Sequence, residues 1–165
     1  MSLERLWAGW RTNYVSDAAT GRDDTPCVMC RIIASTDDAA ALVLERTAKT
    51  ITIMNLYPYG SGHVMAVPTR HVPSIEDLDD EELLDLSHAQ VRAMQAIRSA
   101  YSPDGVNLGV NIGRAAGAGV PTHLHVHVLP RWSGDTNFIT SVAEVRVMSE
   151  DLRTGYDKLR ANWPD

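Results

Sequence analysis

Only two cysteines occur in 165 residues, Cys27 and Cys30, and they stand three positions apart. This excludes the long cross-links of small secreted scaffolds; the C-x-x-C spacing suits a metal or redox pair. The chain also lacks an excess of base. Fifteen Lys and Arg against 21 Asp and Glu leave a net charge of -6 and a pI near 5.4, which argues against nucleic acid as a partner, because phosphate-backbone binding draws on surplus cations. There is no long apolar run either. The first ten residues, MSLERLWAGW, place charges among their apolar positions, so they read as neither a signal peptide nor a membrane span, and a cytoplasmic protein without a membrane partner is expected. Internal repeats, low-complexity tracts and linkers are absent as well. At this length, with 44% hydrophobic residues, one domain over residues 1–165 is expected. Within it, 1–26 and a C-terminal helix at about 149–162 read as extensions.

What stands out is residues 121–132, PTHLHVHVLPRW, where His123, His125 and His127 alternate with Leu124, Val126 and Val128. Strict alternation is a strand signal, because successive side chains of a strand point to opposite faces. It places three imidazoles on one face, roughly 6.5 to 7 Å apart along the strand, and aliphatic residues on the other. Three histidines on one face are costly to bury without a task.

The remaining elements are read around that strand. Leu3, Leu6, Trp7 and Trp10 recur at helical spacing over residues 2–12, and 16–26 reads as a surface loop. A short helical turn follows Cys27 through Ile32 and Ile33. Residues 41–45 and 50–54 read as strands joined by a turn at 46–49. A Pro/Gly-rich loop at 55–62 precedes a third strand at 63–68. Asp79 with Glu82 three residues later reads as a helix cap. The long helix that follows carries an apolar stripe of Leu84, Val91, Met94, Ile97 and Tyr101 and ends at Ser102-Pro103-Asp104-Gly105. His88 within it reads as structural or exposed. A fourth strand at 106–112 and a small-residue loop at 113–119 lead into the histidine strand. An extended stretch follows Phe138, and a last helix capped near Ser149 has Leu152, Tyr156 and Leu159 on one face.

Imidazole can serve as general acid or base, as metal ligand, or as nucleophile. The loop at 113–119 offers backbone N–H groups, with Arg114 beside them, as a nest for an oxyanion such as phosphate. The cysteine pair supplies half of a tetrahedral zinc site, and histidines are the candidates for the other half.

The run His123-Leu124-His125-Val126-His127-Val128-Leu129 resembles the H-φ-H-φ-H-φ-φ signature of the histidine triad (HIT) superfamily. Residues 27–33 (CVMCRII) resemble its C-x-x-C-x-I-I segment, Gly62-His63-Val64 its G-H-φ strand, and Arg70-His71-Val72 the segment before its long helix. The resemblance implies an α+β fold: an antiparallel sheet of about five strands with a long helix and short flanking helices, usually as a homodimer that binds nucleotides. It implies that His125 is the nucleophile attacking the α-phosphorus of a nucleotide, that His127 bonds phosphate oxygens, and that His63 lies nearby as a third catalytic group. Val28, Met29 and Ile32 would form the base slot, Asn55 would hold the ribose, and Asn111 with Gly117, Ala118 and Gly119 would hold phosphate. A structural zinc ion would be bound by Cys27, Cys30, His71 and His123.

There is a departure. Many family hydrolases have Gln followed by Ser or Thr where this chain has Ala118 and Gly119. This points away from the phosphoramidase branch and, with residues 55–59 and 130–138, towards members that cleave dinucleoside polyphosphates such as diadenosine tetraphosphate. Such members work by hydrolysis or, with inorganic phosphate as acceptor, by phosphorolysis. Two other readings are a nucleotide-binding HIT protein with weak or incidental catalysis, for example a purine nucleoside phosphoramidase, and a metal-dependent enzyme ligated by all three triad histidines. The second lacks a carboxylate at facial-triad spacing.

Overall fold

The computed structural model describes residues 26–136 and 149–164. The expected helix at 2–12, most of the loop at 16–26 and the stretch after Phe138 lie outside the described residues. Five strands, β1 (Val43–Arg46), β2 (Thr50–Met54), β3 (Val64–Pro68), β4 (Gly105–Val110) and β5 (Val126–Arg131), form one sheet in the order β1-β2-β3-β5-β4. Every neighbouring pair is antiparallel. Helix α1 (Val28–Ala34) precedes the sheet, α2 (Asp80–Tyr101) joins β3 to β4, and α3 (Leu152–Ala161) ends the described chain. This is the α+β architecture expected.

β3 shows how the sheet divides the molecule. Its residues alternate between faces: Val64 and Ala66 pack in clusters that contain Ala89, Ala93 and Ile97 of α2. Met65 and Val67 pack in another cluster, with Met29 of α1, Ile51 and Ile53. β5 lies beside it in antiparallel register, with Met65 opposite His127 and Val64 opposite Val128. Val126 and Val128 therefore join the α2 side, and His127 emerges on the α1 side.

α2 starts at the cap read from the sequence: the Asp79 carboxylate accepts from Glu82 N–H at 2.8 Å, and Glu82 returns a bond to Asp79 N–H at 2.9 Å. Its buried face differs from the expected stripe. Leu84 and Val91 are 58% and 46% exposed, whereas Leu86, Ala89, Ala93, Ala96 and Ile97 are buried. Small residues let the helix axis approach the sheet closely, so alanines fill the contact where larger side chains would hold it off.

Three further boundaries move. β5 begins at Val126, so His123 and His125 precede the strand instead of lying in it. The cap of α3 is Asp151, whose carboxylate accepts from Thr154 N–H, while the hydroxyl of Ser149 meets that of Ser61. β4 starts at Gly105 and ends at Val110. Tyr156 and Leu159 of α3 are buried in the core with α2, and the Tyr156 hydroxyl donates to the Val43 carbonyl. The C-terminal helix is thus built into the sheet's outer edge.

Candidate active site

The segment before β5 is held by its backbone: Leu124 N–H donates to the Val72 carbonyl at 2.6 Å. This brings His123 beside His71. Cys27, at the N-cap of α1, and Cys30, one turn later, face the same point. Sγ of both cysteines and Nδ1 or Nε2 of both histidines lie within 4.8 Å of one another. Cys30 Sγ stands 3.2 Å from His71 Nδ1, and His123 Nδ1 stands 3.5 and 3.6 Å from the two sulfurs. Tetrahedral zinc with Zn–S of about 2.3 Å and Zn–N of about 2.0 to 2.1 Å requires S···N edges of roughly 3.5 Å. The donor set therefore fits zinc in type, and these three S···N separations fit it in spacing. His123 Nε2 donates to the Pro68 carbonyl at 2.9 Å, which fixes its tautomer and leaves the Nδ1 lone pair facing the two sulfurs. Burial pushes the His123 pKa down, the neighbouring His71 and His125 add to this, and the Pro68 carbonyl opposes it. Burial also pushes the Cys30 thiol up, with Cys27 adding to the shift.

The carbonyl of His123 reaches the next histidine. His125 Nδ1 lies 2.8 Å from it, and a carbonyl only accepts, so Nδ1 carries the proton and the lone pair sits on Nε2. His125 is buried and lines a cavity of about 920 Å³. Its ring stands edge-on to that of His127, 5.0 Å between centroids.

His127 is oriented from the opposite side. Tyr59 N–H donates to His63 Nδ1 at 3.0 Å, leaving the His63 proton on Nε2, which donates to His127 Nδ1 at 3.0 Å. Neutral His127 then carries its proton on Nε2. Burial, with the nearby His125 as a smaller cause, pushes the His127 pKa down to about 4, so the ring is neutral near pH 7. His63 is fully buried behind His127 and does not line the cavity. One ring presents a lone pair and its neighbour an N–H donor. This pair can attack phosphorus and hold a phosphate oxygen.

The cavity contains Val28, Met29, Ile32, Asn55, Asn111, Gly117 and Gly119 among its lining residues, all expected from the sequence. Ala118 does not line it: this residue is buried, with its N–H donating to the Gly113 carbonyl. The N–H of Gly117 is likewise spent on Arg114 O, closing a turn at Arg114–Ala116, so those two amides do not form the expected nest. Asn55 is partly committed too. Its Oδ1 accepts from Tyr57 N–H at 3.0 Å and its Nδ2 lies 3.4 Å from His63 Nδ1. Asn followed by a turn is a known signal for such an Asx contact.

Sequence reasoning missed much of the apolar wall: Leu42, Ile53, Met54 and Met65, with Leu56 and Tyr57 at the mouth. Their strands were legible, but which strand face meets the ligand depends on the pairing of β3 with β5. Leu42 gave no signal at all. It adopts a left-handed φ of 55° next to an irregularity in the β1–β2 ladder, a conformation that costs about 1 to 2 kcal/mol for an L-residue.

The HIT domain family model matches residues 36–134. Over 165 residues the chain is 39% identical to the AP-4-A phosphorylase of Mycobacterium tuberculosis, an alignment that covers 98% of this chain and 85% of that one. It is also 39% identical over 93 residues to the asymmetrical bis(5'-nucleosyl)-tetraphosphatase of Schizosaccharomyces pombe, covering 56% of this chain and 50% of that protein. Among solved structures, a Zn-bound histidine triad family protein from Mycobacterium smegmatis superposes with a TM-score of 0.67 at 26% identity, covering 82% of this chain and 91% of that one.

Proposed function

The chain belongs to the HIT family, and we propose that it is an enzyme cleaving dinucleoside polyphosphates of the diadenosine tetraphosphate type, with inorganic phosphate as acceptor. The observation that carries this reading is the pair of oriented rings in one cavity: His125 Nδ1 tied to the His123 carbonyl and His127 Nδ1 tied to His63 Nε2. Near-full-length similarity to a phosphorylase supports the choice of acceptor.

In the first step His125 Nε2 attacks the α-phosphorus of one adenylyl end. The N–P bond forms, the bridging P–O bond breaks, and the leaving oxygen departs as ATP. The imidazolium charge is met by the His123 carbonyl, and His127 Nε2–H donates to a phosphate oxygen as charge develops there. In the second step an oxygen of inorganic phosphate attacks the same phosphorus, the N–P bond breaks, and ADP leaves with His125 restored. Val28, Met29 and Ile32 form the wall for the base, Asn55 and Asn111 border the ribose and phosphates, and Gly117 and Gly119 border the phosphates without side chains.

Cys27, Cys30, His71 and His123 would hold zinc, which would supply folding free energy rather than chemistry. The ligands come from α1, the segment before α2 and the segment before β5, so the ion would fix the carbonyl on which His125 leans.

No described helix is long and apolar enough to cross a membrane; the cytoplasmic location is the reading of the sequence. We read residues 1–165 as one domain, because α3 shares a core with α2 and β1. A homodimer is the expected assembly; β4 is an outer strand with Leu108 exposed.

The test is product analysis after incubation with diadenosine tetraphosphate, with and without phosphate. ADP plus ATP formed only with phosphate is the expected result. AMP plus ATP regardless of phosphate makes the enzyme a hydrolase, and absence of turnover leaves a nucleotide-binding protein.

A further inference from the structure

Eight large hydrophobic residues are exposed among the described residues, and four of them, Val28, Leu56, Tyr57 and Tyr59, line the cavity that holds His125 and His127. Gathered exposure of this kind is informative, whereas scattered exposure is not. Tyr57 is the extreme case at 80% exposed, and Leu56 beside it is 59% exposed.

The same cavity has a buried region, with Met29, Ile53 and Met65 at 4%, 1% and 5% exposure. It therefore presents two apolar surfaces, one enclosed and one at the mouth. At about 920 Å³ it is near the top of the range of roughly 300 to 1,000 Å³ for small-molecule sites, more than one mononucleotide fills.

The mouth is preorganised. Tyr57 N–H is bonded to Asn55 Oδ1, Tyr59 N–H to His63 Nδ1, and Pro58 stands between them with its φ restricted. It also adjoins the phosphate-handling end, because the Tyr59 ring packs against His63 and His127 with centroids 4.6 and 5.5 Å away. A chain of phosphates held at His127 would therefore adjoin this rim.

We infer that Tyr57, backed by Leu56, is the stacking platform for the second nucleoside of the substrate, the one that departs with the leaving nucleotide. The inference rests on the reading of the protein as a dinucleoside polyphosphate enzyme and adds where the distal base sits. Stacking on one aromatic face reads no hydrogen-bond pattern, so this subsite tolerates any base, while the enclosed region holds the first.

The test compares binding of diadenosine tetraphosphate and adenosine 5'-tetraphosphate, which keeps four phosphates but lacks the second nucleoside. Calorimetry uses the full-length His125→Ala protein, so that neither ligand is consumed, with and without Tyr57→Ala or Tyr57→Phe. Tyr57→Ala weakens the dinucleotide about tenfold, equivalent to about 1.4 kcal/mol and within the range for base–aromatic stacking. It leaves adenosine tetraphosphate within twofold, and Tyr57→Phe restores dinucleotide binding. Equal weakening of both ligands, or no weakening of either, overturns the inference, as does a change in sedimentation that places Tyr57 between two copies of the chain. Binding with this pattern but no turnover by the unmutated enzyme defeats the activity reading and leaves the subsite standing. Failure of every variant to bind either ligand defeats both.

Discussion

His63 Nε2 and His127 Nδ1 are 3.0 Å apart, and the backbone N–H of Tyr59 on the far side of His63 fixes the direction in which that bond runs. A main-chain group thereby selects the tautomer of a ring two residues along from His125, the proposed nucleophile. Removing the intermediary should leave His127 free to rotate and to place its proton on either nitrogen. His63→Ala should lower kcat by about tenfold to a hundredfold, the scale for losing a group that orients a ring, with little change in nucleotide affinity. Steady-state kinetics alongside equilibrium binding checks this. An affinity loss matching the kcat loss would mean that His63 contributes to the ground-state pocket instead.

The proposed zinc ligands and the proposed nucleophile meet at His123, whose ring turns to the cysteines while its carbonyl accepts from His125. Loss of the metal should therefore act first on folding. Cys30→Ser, or chelation of the unmutated protein, should lower Tm by several degrees and release one zinc per chain. The single-turnover rate of the protein still folded should fall by less than tenfold. Metal analysis, thermal melts and single-turnover kinetics on the same samples decide it; a large rate loss at unchanged Tm would make the metal catalytic.

The pKa of His127 gives stability a pH dependence of definite sign. Burial pushes it down to about 4, whereas the unfolded chain's histidine titrates near 6.5. Between these values the unfolded state binds the additional proton, so stability falls as pH drops through the window. The penalty is absent above about pH 6.5 and complete below about 4, reaching on the order of 3 kcal/mol. Melting curves from pH 7 to 4 should show a steeper decline for the unmutated protein than for His127→Gln. The carboxylates and the metal ligands titrate alike in both proteins and cancel in the difference, so parallel declines would refute the assignment.

Much of this was readable from residue order, and the failures have physical causes. The cap at Asp79 and Glu82 is local chemistry, as are the strand propensities of residues 50–54, and both were legible. The triad was legible because alternation carries over three residues, even though β5 begins only at Val126. The buried stripe of α2 is not the most hydrophobic one: Ala89, Ala93 and Ala96 repeat at helical spacing and are fully buried. Leu84 and Val91 have the hydrophobicity without the position. The direction of the His63–His127 bond was invisible, since it depends on a backbone amide delivered by the folded loop at 55–62. The phosphate role that the family resemblance implies for Ala118 was not testable from residue order, because a turn bond to Gly113 consumes its N–H.

That loop also ends on a residue whose substitution should be felt at the active site. Gly62 has a φ of 71°, and a Cβ added there would stand 2.8 Å from the Tyr101 ring and 3.2 Å from Pro130. Tyr101 cannot easily retreat: its hydroxyl donates to Glu150, Trp132 meets its ring edge-on, and Lys158 lies over its face. The strain falls on the backbone one residue before His63. Gly62→Ala should therefore cost about 2 to 4 kcal/mol, from the left-handed conformation together with overpacking. It should also lower kcat in the part of the population that remains folded, by shifting His63 relative to His127. Denaturant unfolding and kinetics at a temperature well below the variant's Tm separate the two effects. If Tyr101→Ala, which opens the space, restores neither stability nor kcat to Gly62→Ala, the contact is not the cause and the left-handed backbone alone must be.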